Sequence, residues 1–137
     1  MKILLKILGT LVLFVLILGG SAALGMLVAC ATPYAASPAM TRMGVLTSPA
    51  GMTLYVFDKD VAGSGKSACN GDCAAKWPPL AAAASDKASG DYAVITRDDG
   101  SRQWSYKGKP LYLWVKDQKP GDMTGDGVNN VWRAAKP

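Results

Sequence analysis

The amino-acid sequence predicts a mainly β protein, a single domain of two duplicated antiparallel hairpin-plus-loop repeats behind an N-terminal hydrophobic segment. Three observations carry that expectation. The heptapeptide LYVFDKD at residues 54–60 returns as LYLWVKD at residues 111–117, 57 residues later. Clusters of Gly, Pro, Asp and Ser separate short runs rich in β-branched and aromatic residues, which is the punctuation of strands and turns. Amphipathic helical periodicity is scarce.

The first element is a leader. Lys2 and Lys6 precede an uncharged, mostly apolar run from Ile7 to Ala29, which ends in Leu27-Val28-Ala29-Cys30. A basic start, a greasy middle and small residues at a boundary describe an export signal at residues 1–29. The four residues LVAC match a lipobox, in which cleavage frees a cysteine whose thiol accepts acyl chains, so Cys30 is the expected lipid attachment site. The alternative is an uncleaved anchor, since 23 uncharged residues make a helix of about 34 Å, enough to span a bilayer. Both readings leave the basic start inside and place the remainder outside the cytoplasm, on a membrane of the bacterial envelope. Residues 30–41 are small and Pro-punctuated and read as a flexible tether.

The domain is expected over residues 42–137, with repeat 1 at about 42–80 and repeat 2 at about 100–134. Ser48-Pro49-Ala50-Gly51 reads as a turn joining a strand at 44–47 to one at 53–57. Asp98-Asp99-Gly100-Ser101 joins 91–96 to the Gln103-Trp104 strand, a hairpin signal. Lys107-Gly108-Lys109-Pro110 joins 102–106 to 111–115. One short helical turn is expected near 72–77, stopped by Pro78-Pro79; Ser85 to Gly90 reads as loop. Each repeat is thus a hairpin, the heptapeptide, a Gly/Asp-rich loop and a tryptophan, Trp77 in one and Trp132 in the other. Neither half is large enough to bury its own strands, so the two are expected to pair around one core. Strand alternation puts Leu54, Val56, Leu111, Leu113 and Val115 on one face and Tyr55, Phe57, Tyr112 and Trp114 on the other.

Charge narrows the function classes. Of the formal net charge of +5, Lys2 and Lys6 belong to the leader, and the other basic residues are scattered. No stripe for a nucleic-acid backbone exists; mild attraction to an anionic envelope surface is what this balance supports. The chain has no His and its acids are all Asp. It therefore lacks the usual general base near neutral pH and the commonest metal ligand.

Three cysteines leave Cys69 and Cys73 as a pair once Cys30 carries lipid. In an oxidising compartment they are expected to form a disulfide. The sharper alternative is copper or thiol-redox handling, with soft thiolates joined by thioethers from Met40, Met43, Met52 and Met123. The chain has neither the compact Cys-x-x-Cys spacing nor a His to strengthen that reading. Asp117, Asp122, Asp126, Asn129 and Asn130 offer hard oxygens, yet without a Glu and EF-hand spacing they read as turn-capping residues rather than as a calcium loop. Asp60 and Asp117 at matching strand ends would suit a glycosidase pair if adjacent, but a strand-end Asp more often caps the next turn. No enzyme activity and no cofactor are expected. The aromatic residues Tyr55, Phe57, Trp77, Trp104, Tyr106, Tyr112, Trp114 and Trp132 either fill the core or, led by Trp77 and Trp132, offer a contact surface to a glycan or protein.

Taken together, Tyr55-x-Phe57-x-x-Asp60 and Tyr112-x-Trp114-x-x-Asp117 resemble the paired Tyr-x-aromatic-x-x-Asp motifs of secreted-repeat bacterial lipoproteins. Cys69-Asn-Gly71-Asp-Cys73 before Trp77-Pro78-Pro79-Leu80, and Pro120-Gly121-Asp122 before Gly125-Asp126-Gly127, extend the likeness from about Gly44 to Trp132. The resemblance implies an envelope lipoprotein and carries over no catalytic or binding residue. The expected role is a lipid-anchored, non-catalytic binding or scaffolding module whose partners are the membrane and an envelope protein or glycan.

Overall fold

The first ribbon starts inside the stretch read as tether. In the computed structural model, which describes residues 37–137, strand β1 (Met40–Arg42) pairs antiparallel with β2 (Val45–Thr47), Met40 opposite Thr47. The turn between them holds Met43 and Gly44 at φ 50° and 78°, a left-handed pair that matches the twist of a tight hairpin. Methionine is no turn signal, which is why the sequence hides this hairpin. Ala39 is already buried, so the folded body begins before residue 42. Cys30, the leader and residues 31–36 lie outside the described residues.

The expected hairpin after β2 is present only at its root. Ser48 N–H donates to Met52 O at 2.8 Å, Gly51 N–H to Ser48 O at 2.8 Å and Leu54 N–H to Leu46 O at 2.9 Å. Strand β3 (Tyr55–Phe57) then departs and pairs antiparallel with β7 (Trp132–Ala134), Tyr55 opposite Ala134 and Phe57 opposite Trp132. Helix α1 (Asp72–Lys76) is the expected helical turn, closed by Trp77 N–H donating to Cys73 O at 2.8 Å. The hairpin of β4 (Tyr92–Thr96) and β5 (Arg102–Tyr106) forms as read, from Tyr92 opposite Tyr106 to Thr96 opposite Arg102.

Beyond β5 the expectation is corrected. Lys107 and Gly108, at φ 48° and 80°, make the turn alone, and β6 is only Lys109–Pro110. Gly108 has a second reason to be glycine: a Cβ there would lie 2.6 Å from Gly63 N, whose N–H donates to Gly108 O. The hairpin runs one bond further, Leu111 N–H to Trp104 O at 3.0 Å, and residues 112–115 then leave it. Tyr112 exchanges both main-chain hydrogen bonds with Tyr55, at 2.8 and 2.9 Å, and Leu113 N–H donates to Pro78 O at 2.7 Å.

The two repeats are therefore interleaved. The first heptapeptide pairs with the strand that ends the second repeat, and the second heptapeptide lies along residues 76–79, which end the first. Further bonds match across the two halves: Asp58 N–H to Val131 O and Val115 N–H to Lys76 O, Ala135 N–H to Leu54 O and Leu80 N–H to Leu111 O. One half shows a ladder and the other an isolated bridge, Pro79 opposite Tyr112. Pro78 and Pro79 explain the difference, because neither has an N–H to give.

Alternation along both heptapeptides sorts the core as the sequence implies, with both faces buried. Tyr55, Tyr112, Trp77, Trp114 and Trp132 gather with Val45, Cys69 and Ala134 in an aromatic cluster. Leu46, Leu54 and Leu111 gather with Ala39 and Ala135 in an aliphatic one, flanked by Val56 and Leu113. Val115 leaves the pattern and is 53% exposed.

Candidate functional site

The motif residues meet between repeats, not within them. Tyr55 Oη donates to Asp117 Oδ2 at 2.6 Å, and Tyr112 Oη donates to Asp60 Oδ2 at 2.6 Å. Each carboxylate also holds the loop that follows it: Asp60 Oδ1 accepts from Ala68 N–H, and Asp117 Oδ1 accepts from the N–H and hydroxyl of Thr124. Both phenols are buried, and burial and the facing carboxylate raise their pKa values well above the ordinary tyrosine range. Burial likewise raises the Asp60 carboxyl above its usual range, against the hydrogen bonds from Tyr112 and Ala68.

Next to these pairs, four rings stack in a row. Phe57 lies 4.3 Å from Trp132, Trp132 lies 3.8 Å from Trp77, and Trp77 lies 3.9 Å from Trp114, centroid to centroid. Tyr55 and Tyr112 meet Trp77 and Trp132 edge-on at 5.4 and 5.1 Å. Gly125 lets the chain pass close by, since a Cβ there would lie 2.8 Å from the Trp77 ring and 2.9 Å from the Tyr55 ring. Trp77 and Trp132 are 3% and 2% exposed. These two indoles are therefore packed into the core, and of the two Trp77 also reaches the wall of a surface cleft beside Trp114.

Cys69 and Cys73 are joined by a disulfide across a Cα separation of 5.2 Å, so neither sulfur is free as a thiolate ligand in this state. Met43 and Met123 line one groove with Arg42 and Pro120. The Asp-rich loops cap their own backbone: Asp122 accepts from Gln118 and Lys119 N–H, and Asp126 from Ala134 N–H. Among the described residues no group of three or more His, Cys, Asp or Glu side chains is placed to hold a metal ion.

The sequence reading missed Arg97. Its guanidinium, in a residue only 5% exposed, donates to Ser67 Oγ at 2.9 Å, to Gln103 Oε1 at 2.7 Å and to Cys69 O. Ser67 Oγ in turn lies 2.6 Å from Tyr112 Oη, so the disulfide loop and one Tyr–Asp pair share a network. Nothing in Thr96-Arg97-Asp98 distinguishes this arginine from a solvated turn residue; only the neutral acceptors converging on it do.

Two further clefts open on the surface of the described residues. One, of about 560 Å³, runs between β3–β7 and the β5–β6 turn and carries Lys107, Lys109, Arg133 and Lys136 beside Asp58 and Asp126. Asp58 is paired with Arg133 at 3.4 Å, and Asp126 is held by Ala134 N–H. Among the described residues the three lysines make no ion pair within 4.0 Å. The other, of about 860 Å³, lies beside Trp114, between Lys76 and Lys116.

No curated protein and no solved structure matches this chain. A family model described as a secreted repeat of unknown function matches it twice, at residues 39–81 and 93–136. The two matched segments are the two interleaved halves, and together they cover more than half of the chain. By that match, and by the paired motifs that cross between the halves, the chain belongs to the secreted-repeat lipoprotein family.

Proposed function

We propose that this protein is a non-catalytic binding module of the bacterial cell envelope, held to a membrane through Cys30, whose cleft between β3–β7 and the β5–β6 turn takes an anionic envelope polymer. The observation that carries this reading is the charge of that cleft, where Lys107, Lys109 and Lys136 have no carboxylate partner among the described residues and both acids are already engaged. The side chains that suggest chemistry in the sequence support a passive role. Asp60 and Asp117 each accept a tyrosine hydroxyl and hold a loop, an arrangement that braces the fold.

The test uses the full chain in neutral detergent micelles, titrated with poly(glycerol phosphate) and, as a control, with neutral dextran. Binding is expected for the polyanion, weakening steeply as salt rises because exposed charges are screened. Changing Lys107, Lys109 and Lys136 together to Gln is expected to remove it. Equal binding by dextran, or binding indifferent to the triple substitution, would exclude this surface.

A further inference from the structure

The second cleft holds an observation that the stack does not explain. Among the described residues, Trp114 Nε1 is the buried side-chain polar atom with no hydrogen-bond partner, in a residue 9% exposed. An N–H left unpaired away from water costs about 1–3 kcal/mol. The fold has no need of it. In the other repeat Phe57 occupies the equivalent place and stacks on Trp132 as Trp114 stacks on Trp77, with rings 15° and 24° from parallel. A phenyl ring would complete the row, so the indole N–H is surplus to packing.

The cleft that Trp114 lines is donor-rich. Lys76, Lys116, Gln118 and Asn129 line the cleft with Trp114, and no carboxylate lines it. Neither lysine makes an ion pair among the described residues, and Lys116 Nζ stands 5.8 Å over the Trp114 ring. Lys76, Lys116 and Trp114 line one cleft, and an anionic acceptor held there would meet both ammonium groups and stand beside the indole whose N–H lacks a partner. The planar amides of Gln118 and Asn129 can each give and take a hydrogen bond, which suits the neighbouring hydroxyls of a sugar, and Val115 and Val128 supply apolar surface for its C–H face.

We infer that the cleft beside Trp114 is a binding site for a carboxylate-bearing saccharide, whose acid group is met by Lys76 and Lys116 and, once the side chains covering the indole shift, by the Trp114 N–H. The site is separate from the cationic cleft of Lys107, Lys109 and Lys136 and does not depend on it. The same carboxylate chemistry occurs in a free sugar acid and in a polymer unit, so both belong in the test.

The full chain, labelled with ¹⁵N in its four tryptophans and held in neutral detergent micelles, resolves the indole N–H groups individually by NMR. Trp114→Phe identifies the relevant resonance and, by analogy with Phe57, leaves the stack in place. Titration with a glucuronate-containing tetrasaccharide is expected to move the Trp114 indole resonance downfield and the other three little. Free glucuronate moving it equally well would place recognition in the single sugar; a response only to the tetrasaccharide would place it in the polymer. Either result supports the site. Lys76→Met with Lys116→Met is expected to weaken binding about tenfold or more, and the triple Lys107, Lys109, Lys136 variant to leave it unchanged. The proposal fails if the Trp114 resonance stays still, if a neutral chitotetraose moves it equally, if an acidic peptide moves it and the saccharides do not, or if Trp114→Phe binds undiminished.

Discussion

Tyr55 and Tyr112 each end in a hydroxyl that cannot reach water and has one carboxylate to meet. Tyr55→Phe would leave Asp117 a donor short and Gly125 N–H without its 3.2 Å acceptor. A loss of about 1–3 kcal/mol is expected, read as a lower denaturant midpoint at unchanged slope. A wild-type midpoint would show that Thr124 alone satisfies Asp117. The raised tyrosine pKa values also set an alkaline limit. In the unfolded chain these phenols lose protons near pH 10, whereas the folded state holds them longer. Stability from the pair is therefore complete below about pH 10 and falls above it, by up to about 2.7 kcal/mol per pH unit for two groups. Unfolding followed across pH 9 to 12 checks this, and a shallower profile in the Tyr55→Phe, Tyr112→Phe variant, with the remainder left to the half-buried Tyr92, would assign it. Asp60 acts in a matching sense at the acid end. With its carboxyl above the usual range, the folded state takes up that proton first and loses nothing from this group as pH falls. Gly125→Ala is a steric counterpart: its methyl would press on Trp77 and Tyr55 at an expected cost of about 1–3 kcal/mol.

Elements here are short, and their pairing owes more to side chains than to strand length. The disulfide ties Cys69 to the helix-borne Cys73, and breaking it with Cys69→Ser and Cys73→Ser is expected to cost about 2 kcal/mol for so small a loop. A much larger loss would show that the Arg97 network, which accepts through Cys69 O, collapses with it. The hairpin of β4 and β5 was legible because Asp-Asp-Gly-Ser is turn chemistry between alternating strands. The two core faces were legible because alternation needs only a period of two. Partners were not. A sequence shows that Leu54 to Phe57 and Leu111 to Val115 are strand-like, but nothing local says that each lies against the end of the other repeat. The β1–β2 turn through Met43 and the burial of Arg97 were likewise invisible, since both are set by contacts distant in sequence.

At the scale of the molecule, the leader and LVAC motif predict the anchor. Cys30→Ala is expected to abolish acyl labelling and to leave the chain released or attached only by an unprocessed signal helix; unchanged labelling and mobility would argue against lipidation. The folded body should also resist division. Either repeat expressed alone is expected to stay unstructured, because the carboxylate that each buried tyrosine meets and the rings that each tryptophan stacks on lie in the other. Fragments cut within Ser85–Gly90 and refolded together should recover the wild-type circular dichroism, and a fragment that folds unaided would contradict the interleaving.

The crossed Tyr–Asp pairs have a consequence for ancestry. A gene encoding one such unit would already specify, in two copies of its product related by a twofold axis, the crossed Tyr–Asp bonds, the ring stack and the matched main-chain bonds that join the present halves. Fusion in tandem would then have freed the halves to diverge, so that one now carries a phenyl ring where the other carries an indole.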